Sequence, residues 1–229
     1  MNNTAENNSK NSNDINENSK SLRKLSVVVS VYNEEKALRE FYKETNKILE
    51  QIKKSGWEHE LIFVNDGSSD NSLSILEELA KEDHDVKLIS FSRNFGHEAA
   101  MIAGIDHSTG DGIICMDADL QHPPECIPKI IEKFSAGYEV INMVRTKNKS
   151  AGLVKNITSS GFYWLINHIS DVHFEPNASD FFAISSHVAQ VLKDNYREKV
   201  RFLRGYVQNV GFKKTNIEYE ARARVAGES

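Results

Sequence analysis

Gly112-Ile113-Ile114-Cys115-Met116-Asp117-Ala118-Asp119-Leu120-Gln121-His122-Pro123-Pro124 decides how the rest of the chain is read. Its apolar opening, residues 112–116, reads as a buried strand. The run ends on two carboxylates, Asp117 and Asp119, and the prolines behind them forbid its continuation. Open α/β folds bind ligands beyond the C-terminal ends of buried strands, so both carboxylates are expected at a sheet rim. Spaced by two, they are expected on one face, where they can share a hard cation. A cation held by two or three protein oxygens keeps positions open for substrate phosphates, as Mg²⁺ and Mn²⁺ do. An isolated D-x-D is more often a solvated turn, so its surroundings decide between the two readings.

Upstream, strands and helices alternate. Residues 25–31 (LSVVVSV) are β-branched and almost all apolar, as in a strand covered on both faces. Tyr32-Asn33-Glu34-Glu35 follows, and then Leu38, Phe41, Tyr42, Thr45, Ile48, Leu49 and Ile52 recur at helical spacing. A second strand, 60–65, ends at Asp66-Gly67-Ser68-Ser69-Asp70, residues suited to a turn and then a helix N-cap. A third, 86–91, leads through Ser92-Arg93-Asn94-Phe95-Gly96-His97 into a short helix ending near His107. Four strand–helix alternations between 25 and 120 predict an α/β fold with a parallel, doubly wound sheet and helices on both faces. In every unit the polar segment follows the strand, so Glu34, Asp66, Arg93, Asn94, Asp117 and Asp119 converge on one predicted rim. No G-x-G-x-x-G follows the first strand and no G-x-x-x-x-G-K-[ST] occurs, which argues against a dinucleotide site and a P-loop.

Downstream, the pattern predicts a helix over 125–136, a strand over 139–144 and a basic, Gly-bearing loop over 145–155. Phe162, Leu165, Ile166 and Ile169 mark a helix whose apolar face reads as core. Ser179-Asp180-Phe181-Phe182 opens another strand, helices follow over 186–194 and from about 200, and a strand over 211–219 closes the pattern.

The chain has 229 residues, which suits one domain over 23–229 preceded by a polar tail, 1–22, too poor in apolar residues to be ordered. A net charge of −5 supplies no global basic field, so a nucleic-acid partner is not expected. Cys115 and Cys126 form no disulfide framework, and Cys115 is expected as a buried, reduced thiol. No run is long and apolar enough to cross a bilayer, and the N-terminus has no signal-peptide pattern. His97 and His122 flank the D-x-D, but without an H-x-x-x-H or Cys partner neither reads as a metal ligand. Lys147, Lys149 and Lys155 read as solvated, with contact to anionic lipid headgroups as the minority reading.

In order, V-V-V-S-V-Y-N-E-E (27–35), F-V-N-D-G-S-S-D-N-S (63–72), F-S-R-N-F-G-H-E-A-A (91–100), M-D-A-D-L-Q-H-P-P-E (116–125), S-D-F-F (179–182), R-F-L-R-G (201–205) and R-A-R-V-A-G-E-S (222–229) resemble the family 2 inverting glycosyltransferases of GT-A fold. The resemblance covers about 24–229 and is narrower still to the polyprenyl-phosphate glycosyltransferases, the dolichol-phosphate mannosyltransferase and bactoprenol glucosyltransferase type. It implies transfer of a hexose from a UDP- or GDP-sugar to a polyprenyl phosphate at the cytoplasmic membrane face. It implies a nucleotide-sugar site at Tyr32, Asn33, Glu34, Asp66, Gly67, Arg93, Asn94, Gly96 and Asp117, with Phe95 in the same motif. It further implies Mg²⁺ or Mn²⁺ on Asp117, Asp119 and Gln121. Asp180 matches the acidic residue near the acceptor that serves as a base in relatives, and Arg204, Arg222 and Arg224 would neutralise phosphate. Relatives continue beyond the G-E-S at 227–229 into amphipathic and membrane helices, so the chain is expected to be a truncated catalytic domain, with homo-oligomerisation left open. Two alternatives stand beside this reading: a family 2 enzyme with a glycan acceptor, and a silent nucleotide-sugar-binding module.

Overall fold

The four upstream strand–helix units build the first half of a seven-stranded sheet. The computed structural model describes residues 24–146, 178–196 and 202–222. The elements are β1 (Lys24–Val31), α1 (Leu38–Lys54), β2 (Glu58–Asn65), α2 (Ser72–Glu82), β3 (Val86–Ser90), α3 (His97–His107) and β4 (Gly112–Asp117). A one-turn 3₁₀ helix (Pro124–Cys126) opens the second half, followed by α4 (Ile127–Ser135), β5 (Val140–Arg145), β6 (Ala178–Ser185), α5 (Ser186–Asn195), α6 (Leu203–Asn209) and β7 (Lys214–Tyr219). The expected tail at 1–22, the helix around 162–169 and the loop lysines lie outside the described residues, as does Arg224.

The sheet order is β3-β2-β1-β4-β6-β5-β7. β3, β2, β1 and β4 are mutually parallel, as the alternation predicts. β6 is the exception: it pairs antiparallel with both β4 and β5, while β7 is parallel to β5. The sheet as a whole is therefore mostly parallel, with β6 its one reversed strand among the described residues. The reversal matters for the site, because a strand running against its neighbours begins at the rim where they end.

Alternate residues of the central strands feed two cores, because successive side chains of a strand point to opposite faces. Val27, Val29, Leu61, Phe63, Ile114 and Met116 pack on one face with Leu38, Phe41 and Leu49 of α1, Leu76 of α2 and Ile130 of α4. Val28, Ile62, Val64, Ile113 and Cys115 pack on the other with Met101 and Ile105 of α3, Val188 of α5 and Leu203 of α6. Both cysteines are buried free thiols. Among the described residues, no helix is long and apolar enough to cross a membrane.

The far end of the sheet is tied by a single carboxylate. Glu60, 2% exposed, accepts hydrogen bonds from Ser26 Oγ at 2.5 Å, Lys87 Nζ at 2.5 Å and the Thr109 N–H at 2.7 Å. It therefore joins β1, β2, β3 and the turn that enters β4. Burial alone would raise its pKa, but the bonds from Lys87, Ser26 and Thr109 and the charge of Lys24 bring it down to about 2.

Candidate active site

Three loops at the C-terminal ends of parallel strands are fastened to one another by their own polar side chains. Asn33 adopts a left-handed conformation (φ 54°), and its Oδ1 accepts the Ser69 N–H at 2.8 Å while its own N–H donates to Ser68 Oγ at 3.0 Å. The Glu34 N–H donates to Ser72 Oγ at 2.9 Å. Asp70 takes the N–H groups of Glu35 and of Ser72 in the first turn of α2, so it supplies the helix-capping acceptor expected of this loop. Asp66, 1% exposed, accepts the N–H of Phe95 at 2.7 Å and of Gly96 at 2.9 Å, which pins the loop after β3 against the loop after β2. The approach is close: a methyl group on Gly67 (φ 65°) would lie 2.3 Å from the Arg93 carbonyl carbon. Arg93 itself lies over the exposed Phe95 ring, 4.1 Å from its centre.

These loops and the end of β4 enclose an open cleft of about 290 Å³ lined by Ser30, Tyr32, Glu34, Asp66, Asn94, His97, Asp117, Ala118 and Asp119. Six residues predicted for the donor and cation therefore share one cavity: Tyr32, Glu34, Asp66, Asn94, Asp117 and Asp119. Asn33, Gly67, Arg93, Gly96 and Gln121 are not among its lining; the first four are engaged in the loop-to-loop contacts above. β4 ends at Asp117, so Asp119 reaches the cavity through a turn rather than by strand alternation. In that turn Leu120 has φ 63° and the Asp119 carboxylate accepts the Gln121 N–H at 3.0 Å.

Two lining residues escaped the sequence reading. Ser30 is a polar residue in a mostly apolar strand, the one signal it offers. His97, weighed only as a flanking residue, places Nε2 2.7 Å from Asp117 Oδ1. Burial alone would lower the His97 pKa, yet the hydrogen bond and charge of Asp117, helped by Asp180 and Glu98, raise it.

Residues 26–189 match the family described as Glycosyl transferase family 2. The chain belongs to that family. It is 44% identical over 204 residues to the Bacillus subtilis (strain 168) protein named uncharacterized glycosyltransferase YkcC, covering 89% of this chain and 62% of that one. It is 42% identical over 206 residues to the Escherichia coli (strain K12) prophage bactoprenol glucosyl transferase homolog, covering 90% of this chain and 66% of that one. The chain thus spans 62–66% of the length of these relatives. In fold it is similar to glucosyl-3-phosphoglycerate synthase from Mycobacterium tuberculosis, crystallised with Mn²⁺, UDP and phosphoglyceric acid: TM-score 0.58, 17% identity, 90% of this chain and 72% of that one. The architecture is GT-A.

In this family 2 domain the reversed β6 brings Asp180 to the rim, near enough for its charge to bear on His97. Cys115 and Phe182 form the last β4–β6 pair, and Asp180 lies two residues before Phe182 on β6. Arg204 at the start of α6 donates to Asp180 Oδ1 through Nε at 3.1 Å and Nη2 at 2.6 Å. The guanidinium of Arg222 bridges Glu44 of α1 and Glu125, both at 2.5 Å. Glu50, His59 and Asp85 form a separate group at the opposite end of the sheet that could gather around a metal ion. Lys53 Nζ already lies 2.9 Å from Asp85 Oδ2 there, supplying the cation those carboxylates attract.

Proposed function

We propose that this family 2 domain carries out inverting transfer of a hexose from a UDP- or GDP-sugar to a polyprenyl phosphate at the cytoplasmic face of a membrane. The observation that carries the reading is the cleft. It gathers Glu34, Asp66, Asn94, Asp117 and Asp119 at the strand ends and has the Asp180–Arg204 pair beside it. The 42% identity to a bactoprenol glucosyl transferase homolog supports the lipid acceptor.

Carboxylates at the inner end of the cleft suit the imide N–H of a base and the hydroxyls of a ribose, since both are donors. Hard oxygen donors at Asp117 and Asp119, with Gln121 one turn away, suit Mg²⁺ or Mn²⁺. When bound, such a cation offsets the negative charge that develops on the departing nucleoside diphosphate. His97, the one lining side chain able to carry positive charge, meets Asp117 directly and lies where that diphosphate would rest. In the displacement, an acceptor phosphate oxygen bonds to the anomeric carbon from the face opposite the nucleotide. The carbon–oxygen bond to the diphosphate breaks with its electron pair going to the diphosphate. A lipid phosphate is already anionic at neutral pH, so Asp180 orients the acceptor rather than deprotonating it. Arg204, which donates to Asp180 here, is placed to share its donors with the acceptor phosphate.

The test is transfer of radiolabelled sugar from UDP- and GDP-sugars, with Mn²⁺ or Mg²⁺, to undecaprenyl or dolichyl phosphate in detergent. The expected product extracts into organic solvent and is cleaved by mild acid. Label transferred only to a water-soluble glycan refutes the lipid acceptor, and nucleotide-sugar binding without any transfer points to the silent module.

A further inference from the structure

β4 is hydrogen-bonded to β1 as far as the Ser30–Asp117 pair, but its ladder with β6 stops at Cys115–Phe182. Asp117 therefore lies beyond the last pair on the β6 side, where a strand N–H has no backbone acceptor and must find another. The Asp117 N–H donates to His122 Nδ1 at 3.0 Å. The ring reaches back because Leu120 turns the chain through a left-handed conformation, which a bulky residue adopts only when its surroundings hold it there.

Those surroundings come from the far half of the sheet. The imidazole, 7% exposed in its residue, stacks 5.0 Å from Phe181 of β6 at 24°. It meets Tyr219 of β7 edge-on at 6.1 Å, and Phe181 and Tyr219 pack on each other at 5.4 Å. A ring nitrogen that accepts an N–H is unprotonated, so the proton sits on Nε2. The Nδ1 lone pair is spent on the backbone.

The geometry points to His122 as a positioning residue: by accepting the Asp117 N–H it fixes where β4 ends, and with it where the Asp117 and Asp119 carboxylates stand to receive a divalent cation. The inference rests on the proposed donor–cation reading of the cleft and deepens it. What the position requires is an acceptor at a fixed place, neither a base nor a ligand. Asn offers an amide oxygen near the place of Nδ1, whereas Leu fills the space and accepts nothing.

The experiment needs no turnover. Calorimetric titration of UDP and GDP at graded Mn²⁺ gives the Mn²⁺ concentration for half-maximal nucleotide binding in wild type, His122→Leu and His122→Asn, with melting temperatures of the unliganded proteins alongside. Groups that orient metal ligands typically change affinity by about 10–100-fold when removed. His122→Leu should need at least about tenfold more Mn²⁺, and His122→Asn should stay within about threefold of wild type. A His122→Leu protein that takes Mn²⁺ like wild type overturns the inference. If that variant does not fold, a folded His122→Asn protein with a tenfold or greater loss overturns it equally. Imidazole ¹⁵N spectra should show the Nε2-protonated tautomer; proton on Nδ1 also overturns it. A wild-type protein that binds neither nucleotide with Mn²⁺ removes the donor reading itself, a result separable from any difference among variants.

Discussion

Replacing Glu60 with Gln removes a charge at the end of the sheet opposite the cleft while keeping its shape. The Glu60 carboxyl is 3% exposed and receives Lys87, Ser26 and Thr109 within 2.5–2.7 Å, with Lys24 at 3.5 Å. Burial works against ionisation, and these partners outweigh it, moving the pKa from 4.5 to about 2. At about 1.4 kcal/mol per unit, the ionised form contributes about 3 kcal/mol more to the folded state than the protonated form. Because the folded pKa is the lower one, that contribution is complete above about pH 4.5 and disappears as pH falls toward 2. Urea unfolding at pH 7 should show Glu60→Gln less stable by about 3 kcal/mol, or about 6–12 °C in melting temperature for a chain of this size. Wild type should lose stability more steeply than the variant between pH 5 and 3. A loss below about 1 kcal/mol at pH 7, or parallel acid profiles, would refute this account of how β1, β2 and β3 are held.

Other perturbations probe the cleft and its supports. Asp119→Asn keeps an oxygen for the Gln121 N–H but removes a carboxylate charge; transfer should fall by at least about 100-fold with little change in melting temperature, and unchanged turnover would count against the cation site. Gly67→Ala places a methyl 2.3 Å from the Arg93 backbone at φ 65°; chemical denaturation should show a loss of about 2 kcal/mol or more, with weaker nucleotide binding, because the loop after β3 must move. Thr45→Val should raise stability by about 1 kcal/mol in the same assay, since Thr45 Oγ1 is buried without a hydrogen-bond partner among the described residues and Val has the same shape.

Much of the first half of the sheet was legible because a strand covered on both faces is mostly apolar, and residues 25–31, 60–65 and 112–116 are. The convergence of Glu34, Asp66, Asn94, Asp117 and Asp119 followed from placing each polar segment after its strand. The direction of β6 was not legible, because apolar patterning records which face is buried and not which way the strand runs. The carboxylate partners of Arg222 were not legible for a related reason: Glu44 and Glu125 lie far away in the chain, and nothing local points to them. His122 was weighed as a possible ligand of a metal. Its actual partner is a backbone N–H, and that contact depends on a left-handed Leu120 and on Phe181 and Tyr219 from distant strands.

The reversed strand also sets an order of assembly. β3, β2, β1 and β4 come from residues 24–117, one continuous stretch that precedes β6 in the chain. β6 must insert between β4 and β5, and until it does the outer edge of β4 stands open, with backbone groups seeking a partner. During synthesis the carboxylate end of β4 is made before Asp180, which follows it in the chain on β6. In a chain emerging from the ribosome, the half that carries Glu34, Asp66, Asn94 and Asp117 is made first. The cleft becomes competent only at the last pairing, and a partly made chain is left with a sticky edge beside its future active site.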